Sequence, residues 1–170
     1  MTAPVIYLDF DGVLHWDGVY RSPTRGIYLD DPDRSLFEYL PELVRALAPF
    51  PQVRIVMSTS WVPELSYSRA VNHLRYHGGR AFASRVIGST YHSGHTPRWR
   101  EQTRYGQIRA DVTRRLLRDN WLALDNDTEG WPPHAKWHLV DTQDCGLRPL
   151  DVDRLLERLA VLVEHGGPVR

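Results

Sequence analysis

Five short apolar runs punctuate the chain, and helical patterns fill most of the gaps between them. The runs are Val5-Ile6-Tyr7-Leu8, Ile55-Val56-Met57, Val86-Ile87, Trp121-Leu122-Ala123-Leu124 and His138-Leu139-Val140. An apolar run without polar alternation predicts a strand covered on both faces, as in a parallel sheet. Ser35 followed by Glu38 has the form of a capping box. It predicts a helix with Leu36, Leu40, Leu43, Val44 and Leu47 on one face, stopped by Pro49 and Pro51. Pro63-Glu64 predicts the first turn of a second helix, with Tyr67, Ala70, Val71 and Leu74 inward and Gly78-Gly79 as its stop. A third spans about Gln102 to Arg118, with Tyr105, Ile108, Val112 and Leu116 in register. The last spans about Leu150 to Glu164, with Val152, Leu155, Leu156, Leu159 and Val163 inward, and stops at Gly166-Gly167.

Two stretches carry no helical period. Residues 15 to 33, with Trp16, Gly18, Pro23, Gly26 and Pro32, predict a hairpin or flap after the first strand. Residues 88 to 99 predict a loop rich in His, Ser and Thr. The order of elements predicts an α/β fold: a doubly wound, Rossmann-like parallel sheet of about five strands flanked by helices. One domain over residues 1 to 170 accounts for the whole pattern, with no repeat, linker or low-complexity tract.

Length and composition agree. A chain of 170 residues, 42% hydrophobic and 25% charged, buries roughly 70% of its unfolded surface without staples. Disordered, collagenous and coiled-coil classes are excluded. No run of about 18 apolar residues suggests a membrane span, and Met1-Thr2-Ala3-Pro4 does not read as a signal peptide. Cys145 stands alone, which excludes an internal disulfide, suits a reducing cytoplasm and predicts a small buried hydrophobe.

Charge is balanced overall, with 21 basic and 21 acidic residues, so a globally basic nucleic-acid binder is not indicated. Locally it is uneven. Seven arginines lie between Arg98 and Arg118 against Glu101 and Asp111. That run predicts either a solvated helix face or a groove for a polyanion, since arginine forks onto phosphate oxygens.

Polar residues gather where an open α/β sheet binds ligands, beyond the carboxyl ends of its strands. The first strand runs into Asp9-Phe10-Asp11-Gly12, the second into Ser58-Thr59-Ser60-Trp61 and the fourth into Asp125-Asn126-Asp127. Two converging acidic clusters repel unless a cation lies between them. Oxygen-only donors suit Mg²⁺, and a cluster without histidine or cysteine argues against zinc. His92 and His95 raise a separate zinc possibility, without a nearby cysteine or carboxylate partner. Ser60 suits a helix cap, Asp127 either a metal ligand or a turn residue. Trp16 and Trp61, next to these motifs, are candidates for lining the site.

Asp9-Phe10-Asp11-Gly12-Val13-Leu14, ending the first strand, resembles motif I of the haloacid dehalogenase (HAD) superfamily. Val56-Met57-Ser58 resembles its motif II, and Leu122-Ala123-Leu124-Asp125 followed by Asn126-Asp127 its motif IV. Arg104 best fits the basic residue of motif III, with Arg100 and Arg109 as alternatives. The resemblance covers about residues 4 to 147. Ser58-Thr59-Ser60-Trp61, Arg104-Tyr105-Gly106-Gln107-Ile108, Trp121 to Asp125 and Thr142-Gln143-Asp144-Cys145-Gly146-Leu147 are similar to a small HAD group. Some of its members are fused into multidomain RNA-repair proteins. Those relatives usually carry consecutive acids where this chain has Asn126.

The resemblance implies a HAD-type fold with residues 15 to 33 as flap and no large cap. It implies a phosphomonoesterase in which Asp9 attacks phosphorus and Asp11 serves as general acid and base. Ser58, Thr59, Gly12 and Arg104 would hold the phosphate, and Mg²⁺ would be bound by Asp9, Asp11, Asp125, Asn126 and Asp127. The substrate would be phosphorylated, with RNA or DNA ends suggested. Asn126 keeps open a catalytically weak module that binds phosphorylated RNA or a protein. A small-molecule phosphatase is the third reading.

Overall fold

The computed structural model describes residues 3–92 and 96–167. Its sheet has five parallel strands: β1 (Val5–Leu8), β4 (Arg54–Met57), β5 (Val86–Ser89), β6 (Trp121–Asp125) and β7 (Leu139–Asp141). Their spatial order is β5-β4-β1-β6-β7. After β1 the chain builds outward to β5, then returns to the other side of β1. That reversal creates the crevice where open α/β sheets bind ligands.

Alternation along β1 explains why its run is wholly apolar. Ile6 and Leu8 face one layer, with Leu40, Leu43, Leu74 and Leu155 among its buried partners. Val5 and Tyr7 face the other, with Ile108, Val112 and Trp131. The first layer comes from α1 (Leu40–Leu47), α2 (Trp61–Leu65), α3 (Tyr67–Ala83) and α6 (Pro149–His165), the second mainly from α5 (Arg104–Arg114) and a 3-10 helix at Pro133–His138. Residues 15 to 33 hold a two-stranded antiparallel hairpin, β2 (Val19–Ser22) and β3 (Gly26–Leu29). No helix among the described residues is long and apolar enough to cross a membrane.

Several boundaries differ from the sequence expectation. The Ser35–Glu38 box does not open a helix. Its backbone closes a turn, Phe37 takes φ 61°, and α1 begins at Leu40 with Pro41 in its first turn. Phe37 is fully buried, and that burial fixes the turn. The second helix is two, broken at Ser66 (φ 107°), whose hydroxyl accepts the Arg69 N–H and caps α3. Gly78-Gly79 kinks α3 instead of stopping it. Gly79 takes φ 84°, while a Cβ on Gly78 would meet Leu40 at 3.1 Å, so this pair lets α3 pass close to α1.

Tyr67, expected inward, is exposed. The third helix ends at Arg114, and Leu116 points to solvent at φ 57° while Leu117 takes the buried place. Near the end of α6 the fully buried residue is Leu162 and Val163 is half-buried. The stretch from 88 to 99 is not all loop, for it completes β5 and holds the start of α4 (Thr96–Glu101). Cys145 is half-buried, not buried. Met1, Thr2 and His95 lie outside the described residues.

Candidate active site

Strand register brings three polar side chains level at the carboxyl edge. Leu8 pairs with Met57 on one side and Leu124 on the other. The following residues, Asp9, Ser58 and Asp125, therefore emerge side by side. Asp9 N–H donates to the Leu124 carbonyl (3.1 Å) and Ser58 N–H to that of Leu8 (2.8 Å). All three side chains are buried.

After Asp9 the chain turns sharply. Gly12 sits at φ 70°, and a Cβ there would meet the Asn126 amide at 2.5 Å. Glycine is required both for the turn and for this approach. The Gly12 carbonyl accepts the Thr142 hydroxyl (2.7 Å) and the Gly146 N–H (3.1 Å), which ties the turn to the segment after β7.

Arg104 is the first residue of α5, behind Thr103, whose hydroxyl accepts the Gly106 N–H (3.2 Å). A cation at a helix N-terminus opposes the helix dipole; two carboxylates hold it there. Arg104 Nη2 donates to Asp9 Oδ2 at 3.2 Å, and its Nε lies 3.2 Å from Asp125 Oδ2. Gln107, one turn along, accepts from Nη1 at 3.4 Å. Of the three arginines weighed for this role, Arg104 reaches the carboxylates. Arg109 lies over the Trp121 ring at 5.9 Å, and Arg100 is exposed.

Burial dominates the electrostatics. It raises the Asp9 pKa, with Arg104 pulling it back and Asp11 adding to it. It raises that of Asp125 well above the usual carboxylate range, helped by the Asp9 charge. Burial also works against the Arg104 charge, but Asp9 and Asp125 outweigh it and raise its pKa. The site is thus a pair of buried carboxyl groups held by one guanidinium.

The donor set fits a hard cation. Asp125 Oδ2 is buried and, apart from its ion pair with Arg104, completes no hydrogen bond, which leaves it lone-pair capacity beside Asp9. Among the described residues no three His, Cys, Asp or Glu side chains form a ready-made metal cluster. Mg²⁺ does not need one, since it binds through one or two carboxylates and completes its shell with water and substrate phosphate. Asn126 and Asp127 are otherwise engaged. The Asn126 amide donates to Asp144 Oδ1 (2.5 Å). Asp127 closes a turn, its N–H donating to Asp125 Oδ1 (3.0 Å) and its carboxylate accepting the Glu129 N–H (2.9 Å).

Ser58 Oγ is buried without a hydrogen-bond partner, an open donor between the two strands. Ser60 occupies the N-cap position of α2 but makes no side-chain bond there. The neighbouring Thr59 hydroxyl accepts the Trp61 N–H instead (3.4 Å).

Asp11 lies at the rim, its side chain 25% exposed. It lines a slot of about 270 Å³ with Val19, Tyr20, Arg21 and Ile27 of the hairpin and with Trp61 and Glu64 of α2. Of the two tryptophans proposed to line the site, Trp61 does so; Trp16 lies half-exposed under the Arg34 guanidinium (4.8 Å). One histidine stands behind the acidic cluster without joining its donor set: His15 Nε2 is 3.0 Å from Asp11 Oδ1. The local sequence carries no signal for it, because residues 11 to 15 form turns and not a helix. Asp144 and Gln107 were also not singled out, although both fall inside segments that carried the resemblance. His92 lies 3.7 Å from Asp111, not at this site.

A family model described as the HAD domain in Swiss Army Knife RNA repair proteins matches residues 5–152. No curated protein and no solved structure matches the chain.

Proposed function

The chain belongs to this family of HAD domains, a branch of a hydrolase superfamily that generally uses Mg²⁺, and from that premise we propose a phosphomonoesterase working through an aspartyl-phosphate on Asp9. The observation that carries the reading is the Arg104 guanidinium bonded to Asp9 and paired with Asp125, beside the unsatisfied Ser58 hydroxyl. Together they offer donors to phosphoryl oxygens at the mouth of a buried carboxylate. Positioning and charge neutralisation supply most of the catalysis in phosphoryl transfer.

In this reading Asp9 attacks phosphorus, and Asp11 gives a proton to the leaving oxygen as the ester bond breaks. Asp11 then takes a proton from the water that cleaves the phosphoenzyme. Ser58 and Arg104 hold the phosphoryl oxygens, with Thr59 and the Gly12 turn completing the cradle. Asp9, the Asp11 carbonyl and Asp125 would hold Mg²⁺, which supplies charge screening between anionic nucleophile and anionic substrate. Asn126 and Asp127 would then act as supports of the turn.

The slot beside Asp11 receives the leaving group. Its exposed Tyr20 ring and Arg21 guanidinium suit stacking and charge contact with a nucleotide, which supports phosphorylated nucleic-acid ends as substrate. The test is a hydrolysis panel with and without Mg²⁺: 3′- and 5′-phosphorylated oligonucleotides, mononucleotides, sugar phosphates and phosphopeptides. Hydrolysis confined to sugar phosphates would replace the nucleic-acid reading by a small-molecule one. One observation favours a weak, binding-only module: Asn126 bonds Asp144 and brings no charge to the site. Oligonucleotide binding without turnover at any Mg²⁺ concentration would establish it.

A further inference from the structure

Asp11 is gripped through one of its two oxygens. His15 is fully buried and bonded at both ring nitrogens. The Phe37 backbone N–H donates to Nδ1 at 3.2 Å, and Nε2 lies 3.0 Å from Asp11 Oδ1. A backbone N–H can only donate, so Nδ1 carries the lone pair and the proton sits on Nε2. His15 is therefore a neutral donor to Asp11 Oδ1. The Trp61 indole N–H, also donor only, reaches the same oxygen at 2.8 Å.

The backbone is bent to produce this arrangement. Phe37 sits at φ 61°, uncommon for a bulky residue, and its N–H meets His15 only in that bend. Its ring is pinned by His15 at 5.0 Å and by His77 at 4.7 Å. A strained residue held between the rings of buried His15 and half-buried His77, next to a reactive carboxyl, is the kind of outlier that functional sites retain.

We propose that His15 and Trp61 are positioning residues that clamp Asp11 Oδ1 and reserve Oδ2 for the transferred proton. The proposal rests on the phosphomonoesterase reading. Oδ1 accepts both N–H bonds whether the carboxyl is ionised or protonated, so the clamp survives the whole cycle. Oδ2–H delivers its proton to the leaving oxygen while the ester P–O bond breaks and the Asp9–phosphorus bond forms. Oδ2 then takes a proton from water as the water oxygen bonds phosphorus and the Asp9–phosphorus bond breaks. With Nδ1 committed to Phe37, the imidazole relays no proton itself; its part is orientation.

Two measurements on the full chain test this. In ¹⁵N spectra of the histidine ring, His15 should show an unprotonated Nδ1 and a protonated Nε2. The opposite tautomer or a doubly protonated ring overturns the clamp. In kinetics, His15→Gln keeps a donor where Nε2 was, His15→Asn keeps only an acceptor where Nδ1 was, and Trp61→Phe removes the indole donor. The kcat for an alkyl phosphate should fall roughly 10- to 100-fold in His15→Asn and Trp61→Phe, as for other orienting partners, and recover in His15→Gln. In the pre-steady-state burst of 2,4-dinitrophenolate release, which reports phosphorylation of Asp9 with a leaving group that needs no proton, the same losses should be at least about tenfold smaller. Equal losses on both esters, tracking lost thermal stability, would mean a merely structural role and end the proposal. If the wild type hydrolyses neither ester, the phosphomonoesterase reading itself fails and takes the clamp's role in proton transfer with it, whatever the spectrum shows.

Discussion

Arg104 Nε lies 3.2 Å from Asp125 Oδ2, and the Asp125 side chain has no exposure to solvent. With Asp9 at 3.2 Å from the same guanidinium, one cation holds two buried carboxylates. Arg104→Leu should therefore destabilise the fold by about 3–5 kcal/mol, the cost of stranding a buried charge. The effect should depend on pH. Burial already raises the pKa of Asp9 and of Asp125, so the native state binds these protons more tightly than the unfolded chain. Stability from that source is present at acid pH and lost as pH rises through the raised values. Without Arg104 the loss should be steeper. Thermal melts of both proteins between about pH 4 and 8 check it; a variant with a flat profile would show that Arg104 is not the counter-charge.

The two aspartates of the first turn should separate cleanly. Asp9→Asn should abolish turnover and leave the fold intact, since no other group forms the phosphoenzyme. Asp11→Asn should lose about 10²–10⁴-fold, the usual range for an acid–base group. A phosphoprotein should be trapped with Asp11→Asn and not with Asp9→Asn. Undiminished hydrolysis by Asp9→Asn would remove the covalent mechanism.

Most of this candidate site is legible in the sequence, for a physical reason. Parallel strands read as unbroken apolar runs, and their carboxyl ends are where polar residues must appear, so Asp9, Ser58 and Asp125 announce themselves. Register then makes them neighbours. Arg104 was readable only through resemblance, because seven arginines crowd its region and the local sequence does not say which one reaches Asp9. The His15 contact was not readable. It depends on Phe37 leaving the helical region, which overrides the Ser35–Glu38 cap signal through burial of a ring from 22 residues away. Gly78-Gly79 was misread for a related reason: its close packing on Leu40 is tertiary.

Asn126 offers a test of the cation site. Its amide donates to Asp144, so Asn126→Asp would set two carboxylates against each other while adding a charge beside Asp125. The variant should melt lower than wild type without Mg²⁺ and gain more on adding it, since a ligand that binds only the native state stabilises by mass action. Calorimetry should show tighter Mg²⁺ binding in Asn126→Asp and weaker binding in Asp125→Asn, as carboxylate count sets affinity for a hard cation. Unchanged affinity in both would place the cation elsewhere.

His73 and His77 stack in parallel 6.3 Å apart against Phe37. Burial lowers the pKa of each; His77 and His15 add to the effect at His73, and His15 at His77. A histidine with a lowered folded pKa contributes stability that is present above its ordinary value of about 6.5 and is lost as pH falls through the lowered one. Urea midpoints should therefore drop between about pH 7 and 5, and His73→Gln with His77→Gln should flatten that drop. An unchanged acid slope in the double variant would assign the loss to other groups.

The arginine-rich segment sets the last expectation. Asp111 is buried and accepts the Tyr7 hydroxyl at 2.9 Å, and both Arg114 and Arg115 pair with it. Those two cations are committed to the fold. Removing either should lower stability before it affects a polyanion, because Asp111 would lose a counter-charge inside the protein. Arg98 and Arg100 are exposed on α4, which leads into the helix that begins with Arg104. If the substrate is an oligonucleotide, these exposed arginines should meet its outer phosphates. Each such contact adds about 0.7 to the log–log salt slope on a single strand. Arg98→Gln and Arg100→Gln should each flatten the slope by about that amount while leaving hydrolysis of a small phosphate ester unchanged. Arg114→Gln should instead lower the melting temperature with the slope intact. The rate ratio of phosphorylated oligonucleotide to mononucleotide, measured at low and physiological salt, decides the matter. A ratio near one at both would end the nucleic-acid reading, because a site that gains nothing from neighbouring phosphates has no polyanion groove beside it.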